Sequence, residues 1–136
     1  EEIEITYDEA RKRLETLSDP FRGMALALLA TGCRISEAYT IRDGRVTGKG
    51  GKVRKVYGTI KETAPKSTFA RKLKEVGLKP HTLRKLCATR LAEKGATPAD
   101  LCKVFGWSSI ATAYQYLQAR EDSKLEALME SCKEGT

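Results

Sequence analysis

A chain of 136 residues suits a single domain that buries roughly 65–70% of its unfolded surface, so a core can form without disulfide or metal staples. Twenty-five lysines and arginines against eighteen acids leave a net charge of +7, which favours a polyanionic partner through counterion release. No apolar run approaches membrane-spanning length and no secretory leader pattern is present, so a cytoplasmic, non-membrane protein is expected.

The charge is uneven: residues 49–90 are strongly basic, whereas residues 1–9 and 121–134 hold many of the acids, so the middle of the chain is expected to face the anion. Cys33, Cys87, Cys102 and Cys132 are far apart, form no CxxC and accompany a single histidine. That pattern argues against a zinc site and for small buried thiols in a reducing compartment.

In chain order, Thr6-Tyr7-Asp8-Glu9 has the form of a capping box opening a helix over residues 7–17, with Ala10, Leu14 and Leu17 on one face. Ser18-Asp19-Pro20 breaks it and starts a second helix with proline near the first position. Residues 21–30 are apolar on nearly all sides, as expected of the buried centre of the domain, and Gly32 suits a left-handed stop. Arg34 follows at once, and its local chemistry predicts an ion pair with Glu37 or a contact with the helix carbonyl end.

Residues 41–57 read as strands joined by a glycine turn, with residues 48–52 at the tip and Lys49 projecting from it. That turn lacks the GKS/T ending of a phosphate-binding loop. Residues 61–66 form a linker. A helix over residues 67–76 turns Phe69, Leu73 and Val76 inward and stops at Gly77. Thr82 is expected to cap the next helix, which buries Leu83, Leu86, Cys87 and Leu91 and ends at Gly95. Thr97-Pro98 caps a short helix burying Leu101, Val104 and Phe105, and Gly106 turns the chain. Ser108 or Ser109 then caps a helix to about residue 119, followed by a separate amphipathic segment over residues 122–132 that uses Leu125, Leu128 and Met129. The fold expected is mainly α with a small antiparallel β-sheet, an α+β arrangement.

Cleavage of a phosphodiester without a metal needs a nucleophile, charge stabilisation at the non-bridging oxygens and an acid for the leaving oxygen. Arginine suits the second task through its planar fork, lysine or histidine the third, and tyrosine the first, through a phosphotyrosine link that conserves the bond energy. The chain holds candidates for each role.

TGCRISE at residues 31–37, GKGGKVR at 48–54, HTLR at 81–84 and GWSSIATAYQY at 106–116 together resemble, in order, the motifs of the tyrosine recombinase or phage-type integrase family. The resemblance covers essentially the whole chain and implies the recombinase catalytic-domain fold: one domain over residues 1–136, without the family's N-terminal DNA-clamping domain. It implies DNA strand cleavage and rejoining through a 3′-phosphotyrosine, with no metal or other cofactor, by a homo-oligomer, a tetramer on double-stranded DNA, in a prokaryotic host cell. By the same resemblance Arg34 and Arg84 clamp the phosphate, Glu37 occupies the family's supporting position, Lys49 protonates the leaving 5′ oxygen and His81 assists proton transfer. Trp107 stands where the family commonly has histidine, and its indole N–H can still donate to a phosphate oxygen. Tyr116, ten residues beyond Gly106, is the nucleophile implied, while Tyr114, on nearly the opposite side of a helix, is left to packing or surface. Lys52, Arg54 and Lys85 are expected to contact DNA, Lys85 standing where many members carry a second histidine. The segment at 122–132 either docks on an adjacent subunit, as similar tails do in the family, or closes its own core.

Residues 97–117 also resemble a helix-turn-helix, which makes a transcription regulator the alternative. Its second helix presents Ile110, Ala111, Ala113, Tyr114 and Leu117 and lacks the polar and basic residues that read base edges.

Overall fold

A computed structural model describes residues 5–134. Seven α-helices and one two-stranded antiparallel sheet follow one another in these residues, the mainly helical α+β arrangement expected. Helix α1 (Tyr7–Leu14) starts where the Thr6 hydroxyl accepts the Glu9 N–H at 3.1 Å. It ends three residues earlier than its pattern suggests, because Thr16 and Leu17 bond back only three residues, to the Arg13 and Leu14 carbonyls at 3.2 and 3.1 Å, and so tighten the chain out of the α-helix. Pro20 is the N-cap residue of α2 (Phe21–Thr31) and not part of its first turn, and Asp19, one residue before it, accepts the Gly23 N–H at 3.1 Å.

The stop after α2 rests on Gly32. Its φ of 74° lies in the left-handed region, and a Cβ there would stand 2.1 Å from Phe105 Cε1. A single turn of helix, α3 (Ile35–Ala38), follows and was not anticipated; the Glu37 carboxylate accepts the Arg34 N–H at 2.8 Å and closes it. The hairpin is shorter than expected, with β1 (Arg45–Thr47) paired to β2 (Val53–Lys55) in the register Arg45 to Lys55, Val46 to Arg54 and Thr47 to Val53. Lys49–Gly51 forms a 3₁₀ turn at its tip, closed by the Gly48 N–H to the Lys52 carbonyl at 2.6 Å.

Helix α4 (Lys66–Glu75) buries Phe69 and Leu73. Helix α5 (Pro80–Glu93) begins with proline in its first turn and Lys79 at the cap, so Thr82 lies inside the helix and does not cap it. Helix α6 (Pro98–Phe105) has the reciprocal cap its sequence promises: Thr97 Oγ1 accepts the Asp100 N–H at 3.0 Å and Asp100 Oδ2 accepts the Thr97 N–H at 2.9 Å. The two helices expected after Ser109 are one continuous helix, α7 (Ile110–Glu134), 25 residues long. Neither Gly nor Pro interrupts residues 107–134, so nothing in the backbone stops it.

Helix α5 is the spine. Its Leu83 and Leu86 join a core built on Met24, Leu28 and Leu29 of α2 with residues of α1, α4 and the hairpin. Its Cys87, Ala88 and Ala92 join a second cluster with Leu101 and Phe105 of α6 and Ala113 and Leu117 of α7. An apolar pattern that must serve two cores spreads around the helix, which is why α5 carries little amphipathic signal. Arg84 sits in this helix, 3% exposed, between the two clusters. Among the described residues no helix is long and apolar enough to cross a membrane.

Candidate active site

Burying a charge at the seam is costly unless its hydrogen bonds are satisfied. Arg84 meets that condition through two helix ends: Nη1 donates to the Gly32 carbonyl at 2.6 Å and Nη2 to the Phe105 carbonyl at 2.5 Å. These carbonyls close α2 and α6, where each helix presents its negative end, so the fold supplies partial negative charge to the cation. The Phe105 ring lies 5.2 Å from the guanidinium carbon and the Trp107 ring 5.8 Å. Burial, and next the neighbouring Arg34, pull the Arg84 pKa down to about 10, which still leaves it protonated at neutral pH.

Arg84 belongs to a cluster of four charged side chains, with Glu37, Arg54 and Arg34. Glu37 is 1% exposed, and its Oε2 and Oε1 accept from Arg54 Nη1 at 2.7 Å and Nη2 at 3.0 Å. Arg34 Nη1 reaches Oε2 at 3.4 Å, the ion pair its local chemistry predicts, and Arg84 Nη1 lies 3.8 Å from Oε1. Burial alone would raise the Glu37 pKa. The hydrogen bonds from Arg54 and the Arg34 N–H, with the charges of Arg54 and Arg84, more than offset it and hold the carboxyl below its ordinary value.

Arg34, Arg84 and His81 line one hollow of about 440 Å³, together with Ile35, Ser36, Lys79 and Pro80. His81 is on the outer side of the α5 start; burial, then Lys85, Arg84 and Arg34, push its pKa below the ordinary histidine value, so the ring is neutral at neutral pH. Three residues that the sequence resemblance joined across 50 positions thus meet at one opening.

Tyr116 is on the other side of an aromatic stack. Phe105 and Trp107 lie 4.9 Å apart at an interplanar angle of 22°, and Trp107 and Tyr116 5.3 Å apart at 11°. Trp107 and Tyr116 are half-buried, and Tyr116 borders a neighbouring cleft of about 520 Å³ with Lys85, Arg90 and Tyr7. Burial raises the Tyr116 pKa while Arg84 works against that shift. Tyr114 is 53% exposed on a different side of α7.

Lys49 and Lys52 are exposed on the hairpin turn. The base of that turn approaches the cluster closely, since a Cβ on Gly48 would stand 2.9 Å from Glu37 Oε2. Arg54 does not face outward as a DNA contact should. It is opposite the buried Val46, on the inner face of the hairpin, and its guanidinium is engaged with Glu37.

Sequence reasoning missed three contributors. Phe105 was taken as core and also forms the base of the stack beneath Arg84. Arg54 was expected to contact DNA, and its bond to Glu37 was not foreseen. Arg120 Nη1 donates to the carbonyls of Ala92 and Ala96, both at 2.8 Å, and fastens α7 to the end of α5. Its spacing from Ala113 and Leu117 puts Arg120 on the buried stripe of α7, the one signal that could have found it. Among the described residues no group of three or more His, Cys, Asp or Glu side chains is arranged to hold a metal ion.

Basic residues from distant segments thus gather around one opening, with the aromatic stack that ends in Tyr116 of α7 beside Arg84. The profile of the phage integrase family matches residues 52–123, just over half of the chain, and the chain belongs to that family. No curated protein matches it. Among solved structures, a crystal structure of XerA recombinase superposes with a TM-score of 0.69 at 20% identity, covering 96% of this chain and 65% of that one. The XerH site-specific recombinase bound to its difH substrate in a pre-cleavage complex gives 0.65 at 17% identity, covering 88% and 51%. The Tn1549 transposon integrase in complex with a circular intermediate DNA gives 0.64 at 16%, covering 91% and 66%. The chain therefore has the tyrosine recombinase catalytic-domain fold and spans about half to two thirds of the length of these relatives. The helix-turn-helix alternative is not favoured: Ala113 and Leu117 of its would-be recognition helix are buried against α5 and α6.

Proposed function

We propose that this chain is the catalytic domain of a site-specific recombinase or integrase that cleaves and rejoins double-stranded DNA through a 3′-phosphotyrosine at Tyr116. The observation that carries the reading is the meeting of Arg34, His81 and Arg84 around one hollow, next to the stack that holds Tyr116. In the reaction, Tyr116 Oη attacks phosphorus, the bond from phosphorus to the 5′ oxygen breaks, and the protein becomes esterified to the 3′ phosphate. Attack by a 5′ hydroxyl, the same one or another, reverses the step and releases the tyrosine.

The guanidiniums of Arg34 and Arg84 stabilise the charge that grows on the non-bridging oxygens, where one well-placed donor contributes roughly 3–4 kcal/mol. Trp107 donates its indole N–H to the same oxygens. His81, neutral at working pH, accepts the tyrosine proton, and Lys49 on the hairpin turn protonates the leaving 5′ oxygen. Lys52 and Lys85 add contacts to the DNA backbone. The outer part of α7, with Leu125, Leu128 and Met129 exposed, serves as a contact between protomers of a tetramer assembled on DNA.

The test is incubation with a suicide DNA duplex, followed by a search for an adduct that survives SDS. An adduct is expected from the wild type and from Tyr114→Phe and none from Tyr116→Phe; an adduct that persists in Tyr116→Phe refutes the nucleophile.

A further inference from the structure

Among the charged residues of the site, Arg54 has no part in the reaction as written, yet its side chain is only 13% exposed and three fixed bonds hold it. Both terminal nitrogens grip the two oxygens of Glu37, at 2.7 and 3.0 Å, and Nε donates to the Val104 carbonyl at 3.2 Å. Two glycines leave room for this arrangement. A Cβ on Gly106 would stand 2.9 Å from Arg54 Cδ, and one on Gly48 would stand 2.9 Å from Glu37 Oε2. The pairing thus ties β2 and the end of α6 to α3, whose first residues Ile35 and Ser36 line the phosphate hollow.

We propose that Arg54 is a positioning residue: by holding both oxygens of the buried Glu37 carboxylate, it keeps the guanidiniums of Arg34 and Arg84 available to a DNA phosphate. The competition is visible in the distances. Glu37 carries one negative charge among three arginines, and after Arg54 the nearest side-chain cations are Arg34 at 3.4 Å and Arg84 at 3.8 Å. With Arg54 removed, the buried carboxylate has only those two cations to neutralise it. Arg34, whose side chain is 43% exposed and therefore free to shift, closes onto it. One phosphate donor is then withdrawn and the hollow loses one positive charge. Arginine is needed for this because its rigid fork spans both carboxylate oxygens, whereas a lysine can satisfy only one direction at a time.

This inference rests on the proposed cleavage reaction. Its test measures single-turnover cleavage of the suicide duplex at saturating DNA, with duplex affinity and thermal unfolding measured in parallel, for the wild type, Arg54→Gln, Arg54→Lys, Glu37→Gln and the Arg54→Gln/Glu37→Gln pair. We expect Arg54→Gln to cleave about 10²-fold more slowly, the loss typical of one transition-state donor, with DNA affinity within about threefold of wild type. Removing the carboxylate as well should recover at least about tenfold of that rate, the signature of coupling in a mutant cycle. Arg54→Lys, which keeps the charge near Glu37, should fall between Arg54→Gln and wild type. If Arg54→Gln does not fold, the lysine variant and the neutral pair decide the matter. Wild-type rates in Arg54→Lys or Arg54→Gln overturn the proposal, as does a neutral pair no faster than Arg54→Gln. A loss of DNA affinity that matches the loss of rate makes Arg54 a DNA contact instead. A wild-type protein that forms no adduct defeats the cleavage reading itself, and is thereby distinguished from a failure of Arg54 in an active enzyme.

Discussion

Replacing Gly32 with alanine tests the contact on which the site is built, because this position carries two separate constraints. Its φ of 74° costs an alanine roughly 1–2 kcal/mol. The new Cβ would also lie 2.1 Å from Phe105 Cε1. Carbon atoms settle at 3.5–4.0 Å, so the ring must retreat by about 1.5 Å. Phe105 is fully buried, and overpacking of this kind costs roughly 1–3 kcal/mol more. The total of about 2–5 kcal/mol is large against the roughly 5–15 kcal/mol that holds such a domain together. Gly44 provides the control: its φ is 73° and nothing lies within 4 Å of an added Cβ, so Gly44→Ala should lose only the backbone share, about 1–2 kcal/mol. Urea unfolding followed by far-UV circular dichroism measures both losses. Native fluorescence adds a local readout, because Trp107 is the chain's one tryptophan and stacks on the ring that must move. We expect Gly32→Ala to be less stable than Gly44→Ala by about 1–3 kcal/mol and to change the native emission, while Gly44→Ala leaves emission unchanged. Equal losses with equal emission would show that the approach of Gly32 to Phe105 carries no energy.

Removal of Lys85 should raise the His81 pKa, since after burial Lys85 is the largest influence holding it down. His81 is the only histidine, so proton NMR can follow its titration without ambiguity; cleavage that needs the neutral ring rises with pH, and its acid limb should move upward in Lys85→Ala. A titration that does not move, or that moves down, removes Lys85 from the set acting on the ring. Arg120→Met deletes the donor shared by the Ala92 and Ala96 carbonyls and should cost about 1–3 kcal/mol in urea unfolding, with faster hydrogen exchange along α7; a loss below about 0.5 kcal/mol would make the link incidental. In dilute protein, Leu125→Ser and Leu128→Ser should each change stability by less than about 0.5 kcal/mol, because both side chains are more than half exposed. Leu117→Ala, in the second cluster, should cost about 2–5 kcal/mol, and comparable losses at 125 or 128 would mean that the end of α7 packs on its own domain.

The elements were legible wherever a local rule decided them. The Thr97 cap, the Gly32 and Gly106 stops and the apolar α2 are settled by residues within a turn of one another, and the structure has them where the pattern puts them. Errors came where a local signal was read without its continuation. One helix was expected to end near residue 119 and a separate segment to begin at 122, but helix length follows from the lack of a breaking residue, and α7 runs through both. Thr82 has the chemistry of a cap, yet Pro80, which cannot donate an N–H, already begins the helix two residues earlier.

Arg54 shows why the site was harder to read than the fold. In VRK the apolar residue is the natural candidate for the inner face, and a period of two then sends the arginine out to solvent. The structure reverses this: Val53 is 61% exposed and Arg54 points inward beside Val46. That register is stable only because Glu37, 17 residues earlier in a helix of one turn, is also buried and offers two carboxylate oxygens to one guanidinium. A charged pair can invert an amphipathic pattern when each partner removes the other's reason to remain in water. Neither residue reveals this alone, and the spacing between them has no periodicity to detect. The resemblance supplied Glu37 and Arg34 as residues of the site, but it gave no information about which cation the carboxylate holds. The choice of Arg54 over Arg34 and Arg84 is made by the hairpin register and by the space left at Gly48 and Gly106, and it is what leaves two arginines beside the hollow.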